Sequence, residues 1–401
     1  MADARYRVLA IASHPVQYLP PLLRGLTQHP QVHLSVAYCS LRGAQSAYDP
    51  GFTTDVQWDI PLLDGYSWQQ VPNRALGDSS FLHQFNPGLW SLIRKGQFDA
   101  VLCYLSYRCA SFWIAFSACR FSRTAFLFGT DASTIIPRDA GAWKLRFKTV
   151  FWPHLYSWAD QVFVPSSPTR DLMLSLGLPT ERITLTPYSV DNSWWMARSA
   201  AVDRDAIRAN WGATPATCVI LFCAKLQPWK RPADVLRAFA QARLSDAVLV
   251  YAGEGPLRSQ LQEEVCRLAV SDRVRFLGFQ NQSELPGVYT AADLMVLPSE
   301  YEPFAVVVNE AYCCGCPVIA SDRVGAARDL IVPVDPALVY PCGNLQSLSA
   351  ILVELRGDPK RLRALGAKGR ERISTWSPKE TAAGTVEAIR AAVRRRRAPV
   401  N

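Results

Sequence analysis

Short apolar runs separated by helix-period segments recur along this chain, and their spacing predicts alternating strands and helices. In the first half, apolar runs at 7–12, 32–38, 101–105, 125–128, 161–164 and 183–187 read as strands buried on both faces. A helix through Gln28 joins the first two, and the segment 143–156 is the clearest helical stretch. The segment 48–68 breaks the pattern: it is rich in Asp, Pro, Gly and aromatics and reads as a long excursion, not a core unit. The segment 193–211 is the least strand-like and bridges the two halves.

A second series then begins. Strands are predicted at 219–224, 247–252, 274–277, 294–297 and 318–320, and helices at 232–243, 257–268 and 285–292. In 232–243 the apolar positions Val235, Leu236, Phe239 and Ala240 fall on one face. Strand-helix alternation on this scale is the pattern of a doubly wound α/β sheet, and ligands bind such sheets outside the carboxyl ends of the strands. With 401 residues, two domains are expected. We place them at 1–192 and 193–375, with a last helix from 376 to 401 that starts at Trp376-Ser377 and ends in a basic run.

The stretch 297–319, LPSEYEPFAVVVNEAYCCGCPVI, carries the most chemistry. If 304–314 is helical, its N-terminus offers unpaired N–H groups to an anion, and Glu302 and Glu310, eight positions apart, lie near one face. The strand 219–224 delivers Lys225 at its carboxyl end, with Lys230 five residues later. Two ammonium groups opposite an anion-binding helix end would clamp a diphosphate, whose negative charge grows as it leaves.

Composition narrows the classes. The chain is 49% hydrophobic with 12 Trp, a folded composition. The formal net charge of +9 is dispersed except at Arg394, Arg395, Arg396 and Arg397. That run fits either peripheral contact with an anionic membrane or a solvated tail. No run of about 20 apolar residues exists to form a spanning helix. Eleven cysteines without a paired framework predict a reducing, cytoplasmic setting, and the membrane reading of the basic run would place the protein at the inner membrane face. The CxxC spacing at Cys313–Cys316 has no second pair or His cluster, so buried small residues are expected there. Asp203-Arg204-Asp205 has the spacing of a metal-binding DxD but precedes a helical segment, so it reads as a helix start, and no metal site is expected. Gly253-Glu254-Gly255 lacks the third glycine and the distant acid of a nicotinamide site. Basic stripes with interleaved aromatics are missing, which excludes nucleic acid as a partner.

In order, the segments Cys223-Ala224-Lys225-Leu226, Lys230-Arg231-Pro232, Gly253-Glu254-Gly255-Pro256-Leu257, 274–279 and Glu302-Pro303-Phe304 with Glu310 resemble the retaining GT-B glycosyltransferases of family 4. The resemblance implies two Rossmann-like doubly wound domains facing a central cleft, with an N-terminal acceptor domain and a C-terminal donor domain. It implies transfer of a hexose-type sugar from a UDP- or GDP-sugar to a hydroxyl of a glycan or lipid-linked acceptor, forming an α-glycosidic bond. The nucleotide sugar is a substrate, so no cofactor is implied.

Carried over residue by residue, Glu302 lies by the donor sugar, Glu310 holds the ribose, and Lys225 and Lys230 bind the diphosphate. Backbone amides of Phe304, Ala305 and Val306 meet the sugar or diphosphate, the turn Gly253, Glu254 and Gly255 lines the donor pocket, and Gly278 and Phe279 approach the base. The family usually has Gly where this chain has Ala305; a methyl is compatible with a helical backbone there and narrows the space beside the sugar. Lys225 stands where Arg is commoner and lacks its bidentate fork. On the acceptor side Ser13-His14-Pro15 replaces a Gly-rich turn, with His14 either facing the ligand or capping its loop, and Tyr18 close behind. Asp131 stands nearest to a missing family His and either assists the acceptor hydroxyl or caps a helix. Two other readings stay open: a sugar-nucleotide epimerase or hydrolase on the same fold, and an inactive nucleotide-sugar binder or scaffold.

Overall fold

The computed structural model of the protein describes residues 5–75, 81–137 and 141–398. It divides into two units: Met1–Ser46 with Pro61–Ser189 and Pro378–Asn401, and Ala47–Ile60 with Val190–Ser377. Strands β1 (Tyr6–Ala12) and β2 (Val32–Tyr38) open the chain, β3 (Ala47–Asp49) and β4 (Thr54–Val56) form an antiparallel hairpin, and β5 (Trp68–Gln70), β6 (Ala100–Cys103), β7 (Ala125–Gly129), β8 (Gln161–Val164) and β9 (Ile183–Leu185) follow.

The first unit is one parallel sheet in the order β5-β2-β1-β6-β7-β8-β9. Its central strands β1, β6, β7 and β8 are buried on both faces over most of their length, which is why they read as continuous apolar runs. Leu9, Ile11, Phe112, Phe126 and Tyr156 form the core on one side, and Val8, Ala10, Leu23, Ile389 and Val393 form it on the other. The second layer thus depends on the last helix, Pro378–Arg397, which packs on helix Pro20–Gln28 and on β7, β8 and β9.

Three of the four terminal arginines have partners on the first unit itself. Arg395 donates to the carbonyl of Asp160 and to Gln161 Oε1 (2.8 Å), Arg396 lies 3.9 Å from the Asp160 carboxylate, and Arg397 pairs with Asp99 at 2.5 Å. Of the run, Arg394 and Arg397 are exposed.

The second unit holds β10 (Cys218–Cys223), β11 (Ala247–Ala252), β12 (Val274–Gly278), β13 (Leu294–Leu297), β14 (Val318–Ser321) and β15 (Val339–Tyr340), all parallel, in the order β12-β11-β10-β13-β14-β15. The chain winds outward from β10 in one direction and then, from β13, in the other. The crevice at a parallel sheet's carboxyl end opens where winding reverses, here between β10 and β13. The segment 193–211, expected as a bridge, is two helices of this unit, Asn192–Ala200 and Arg204–Asn210.

The excursion differs from its expected place. Residues Ala47–Ile60 pack with the second unit and not with the N-terminal strands that flank them. Aromatic and acidic side chains in this hairpin find partners there, as described below.

Candidate functional site

At the end of β10 the chain runs through Ala224 to Lys225, then a 3₁₀ turn Pro228–Lys230 and helix Pro232–Ala242. The loop after β13 lies against that turn, with Glu300 N–H donating to the Trp229 carbonyl at 2.9 Å. This contact places Lys230 beside Glu302, and the two form an ion pair, both largely buried. Lys225 is held otherwise: its Nζ lies 2.9 and 3.1 Å from the Asp49 carboxylate oxygens and 4.4 Å above the Phe52 ring. Burial alone would raise the Asp49 pKa, but the Lys225 ammonium and the N–H groups of Gly51 and Phe52 outweigh it and hold it below the ordinary range.

The turn after β11 crosses this corner closely. A Cβ on Gly253 would sit 2.1 Å from the Ala224 carbonyl oxygen, and one on Gly255 2.7 Å from that of Leu226, so only glycine fits at either. Glu254 between them makes an ion pair with Arg258, and Gly253 N–H donates to Gly278 O at 2.8 Å. Phe279 follows, with Phe52 edge-on at 4.9 Å and Trp58 at 5.9 Å. Asp59 accepts from Ser283 N–H at 3.1 Å, completing the attachment of the hairpin.

The two carboxylates of the 297–319 stretch do not share a helix face. The helix spans Val307–Cys313, shorter than expected, and Glu302 lies before it in a bridge with Val324. Glu310 is on the helix and 2% exposed. The Tyr289 hydroxyl donates to Glu310 Oε2 at 2.9 Å. Burial pushes the Glu310 pKa up to about 7 against the pull of hydrogen bonds from Tyr289 and Gln282. The backbone between the carboxylates is not helical at Ala305, whose φ is +87°. Phe304 is buried and its carbonyl accepts from Ala326 N–H at 2.8 Å, while Val306 turns into the helix at φ −56°.

In the first unit the candidates lie past the carboxyl ends of β1 and β7. His14 Nδ1 is 2.9 Å from Ser13 Oγ. Tyr18 packs 5.3 Å from Tyr188, and burial together with the nearby Asp131 charge pushes its hydroxyl up to about 12. Asp131 is exposed and starts no helix, the next being Ala142–Ser157, so the capping alternative falls away. The structure therefore gathers Asp131, Tyr18, Tyr188 and, at raised pKa through burial, Tyr104 into one corner.

Other motifs resolve simply. Asp203 is the N-cap of helix Arg204–Asn210, accepting from Ala206 N–H at 3.0 Å. Cys313, Cys314 and Cys316 are buried thiols whose pKa values burial raises. Among the described residues no group of three or more His, Cys, Asp or Glu could hold a metal ion. Asp49, Phe52, Trp58, Arg258 and Tyr289 also contact the candidate site residues and were not among those expected. The aromatic and acidic density of 48–68 was the available signal for the first three.

Two family profiles match the chain: "Glycosyl transferase 4-like domain" over residues 4–189 and "Glycosyl transferases group 1" over 203–372. The chain is 33% identical over 233 residues to the D-inositol 3-phosphate glycosyltransferase of Nocardia farcinica, covering 56% of this chain and 51% of that protein. It is 34% identical over 187 residues to the GDP-mannose-dependent monoacylated alpha-(1-6)-phosphatidylinositol monomannoside mannosyltransferase of Corynebacterium glutamicum, covering 44% and 48%. The chain thus spans about half the length of the curated relatives it matches. In fold it is similar to Anabaena HepE, solved with UDP and glucose (TM-score 0.71, 18% identity, 96% of this chain and 99% of that one). It is also similar to sucrose-phosphate synthase of Thermosynechococcus elongatus (TM-score 0.69, 20% identity, 96% and 98%). The α/β two-domain fold is that of these GT-B structures.

Proposed function

This chain belongs to the group 1 glycosyltransferases, and within that family we propose that it moves a hexose-type sugar from a UDP- or GDP-sugar to a hydroxyl of a glycan or lipid-linked acceptor with retention at the anomeric carbon. The observation that carries this reading is the grouping, at the switch point of the second sheet, of Lys225, Lys230 and Glu302, with Glu310 buried on the adjoining helix. The UDP and glucose of the HepE structure support the donor class.

In this reading Lys225 and Lys230 hold the diphosphate. The bond from the anomeric carbon to the diphosphate oxygen breaks, and the acceptor oxygen bonds the same face. The acceptor proton passes to the departing phosphate oxygen, so no separate protein base is required. Cations matter most as the diphosphate gains charge. Lys230 must turn part of its hydrogen bonding from Glu302 to the phosphate, which frees the Glu302 carboxylate for a donor-sugar hydroxyl. Glu310 accepts from the ribose hydroxyls, Gly278 and Phe279 border the base, and the turn 253–255 closes on the donor. The amides of Phe304, Ala305 and Val306 approach the sugar or diphosphate, and His14, Tyr18 and Asp131 are acceptor-side contacts.

Lys230→Ala and Glu310→Ala should each lower donor-dependent nucleotide release by about a hundredfold or more. Turnover near wild type in both would remove the proposal. Nucleotide release at an unchanged rate with donor alone would favour a hydrolase, and conversion of the donor to another nucleotide sugar without release would favour an epimerase. Calorimetric titration that detects neither UDP nor GDP would favour an inactive scaffold.

A further inference from the structure

Helix Ala142–Ser157 in the first unit is apolar on two opposite sides. One side is core: Trp152, Leu155 and Tyr156 are buried. At about 100° per residue, Trp143, Phe147 and Val150 share a stripe facing the other way, and beyond exposed His154 it reaches Trp158 at the C-cap. Trp143, Phe147, Val150 and Trp158 are 70%, 50%, 69% and 41% exposed. A helix with exposed apolar side chains opposite its core side is placed to meet a second apolar surface or phase, and such an exposed stripe marks an interaction site.

The charges around the stripe point to its partner. The same turns place Lys144 on one flank and Arg146 on the other, and the helix contains no Asp or Glu. Lys144 Nζ lies 5.6 Å from the Trp143 ring, so this cation and aromatic occupy one level of the helix. Trp158 packs on Phe116 at 6.1 Å, which joins the stripe to helix Ala110–Ser122. Beyond Phe116 that helix ends in Arg120, then Phe121, 72% exposed, and Arg123. Aromatic side chains that sink to headgroup depth, flanked by cations at the phosphate level, are the composition of an interfacial helix. Among the described residues no helix is long and apolar enough to cross a membrane, so contact would be with a surface.

We propose that the outer face of helix Ala142–Ser157, extended by the Arg120–Arg123 turn, docks on an anionic lipid bilayer. The basic C-terminal run is the weaker candidate for this role, because Arg395, Arg396 and Arg397 pair with the first unit's own carboxylates and carbonyls. Lying flat, the 16-residue helix would cover about 24 Å of the interface. The proposal stands apart from the assignment of donor and reaction, and it would bring a lipid-linked acceptor to the first unit.

The test is flotation of the full chain with vesicles of phosphatidylcholine alone or mixed with phosphatidylglycerol. Wild type should float with the mixed vesicles, and less so as salt is raised. The triple variant Trp143→Ser, Phe147→Ser, Val150→Ser should bind at least about tenfold more weakly at an unchanged thermal midpoint, since the three side chains are at least half exposed. The charge variant Lys144→Glu, Arg146→Glu should lose the preference for phosphatidylglycerol. Deleting Arg394–Arg397 should leave flotation intact. No flotation of wild type, or equal flotation of the triple variant, would overturn the proposal. So would concentration-dependent dimerisation abolished by the triple variant, which would make the stripe a contact between copies.

Discussion

Ala305 shows at a single residue how far a side chain can be at odds with its backbone. A φ of +87° is glycine territory, and an L-residue there costs on the order of 1–3 kcal/mol. Glycine would relieve that strain and give back roughly 0.4–1 kcal/mol through a freer unfolded chain. Ala305→Gly should therefore stabilise the second unit by about 1 kcal/mol, read as a higher urea midpoint at unchanged slope. Glu310 is the other informative residue. Its folded pKa, about 7, lies above its ordinary 4.5. The folded state thus keeps a proton that the unfolded chain gives up first. The resulting stability is fully present below pH 4.5, falls as pH rises, and is gone above about 7. Wild type should lose thermal midpoint between pH 5 and 7.5, and Glu310→Gln should flatten that slope.

The hairpin of β3 and β4 is the element with most bearing on the site. Its Asp49 holds the Lys225 ammonium with two hydrogen bonds, while Phe52 lies under the same ammonium and against Phe279. If Lys225 receives a diphosphate, the Asp49 carboxylate is a rival anion at that point. Asp49→Asn should then tighten UDP binding by several-fold to about tenfold in calorimetry, roughly 1 kcal/mol of removed competition. Weaker binding would mean that Asp49 orients Lys225 for the ligand. Phe52→Ala tests the second contact: it removes the aromatic face from the ammonium and the edge from Phe279, and should free the hairpin to early proteolysis.

Across the whole molecule, the chain's two ends build one unit. Helix Pro378–Arg397 lays Ala388, Ile389, Ala392 and Val393 into the core shared with Val8, Ala10 and Leu23. Gly384 permits this approach, since a Cβ there would lie 2.4 Å from the Leu185 carbonyl oxygen. Ile389→Ala should cost about 2–4 kcal/mol. Hydrogen exchange should locate that loss in β1, β7 and β8, and leave β10, β11 and β13 protected as before. Equal loss in both sheets would mean that the two units unfold together.

Much of this protein is readable without coordinates, because a parallel sheet buries both faces and its strands must be apolar throughout. The runs at 161–164, 247–252 and 294–297 coincide with β8, β11 and β13 for that reason, and every residue of these three strands is buried. The positions of Lys225, Gly253 and Gly255 just past β10 and β11 follow from the strand runs, while their donor-side role is what the family resemblance implies. Three other features were set by long-range contact, which periodicity does not encode. The hairpin at 47–60 joins the second unit through Lys225, Phe279 and Ser283, about 170 to 230 residues away in the chain. Glu302 and Glu310 part company because φ at Ala305 is positive and Lys230 and Tyr289 draw them to different neighbours. Arg396 and Arg397 pair with Asp160 and Asp99, while Trp143 and Phe147, equally apolar in sequence to Trp152, face outward. Apolar spacing specifies that a helix forms; which of its two apolar sides is buried depends on the sheet it meets.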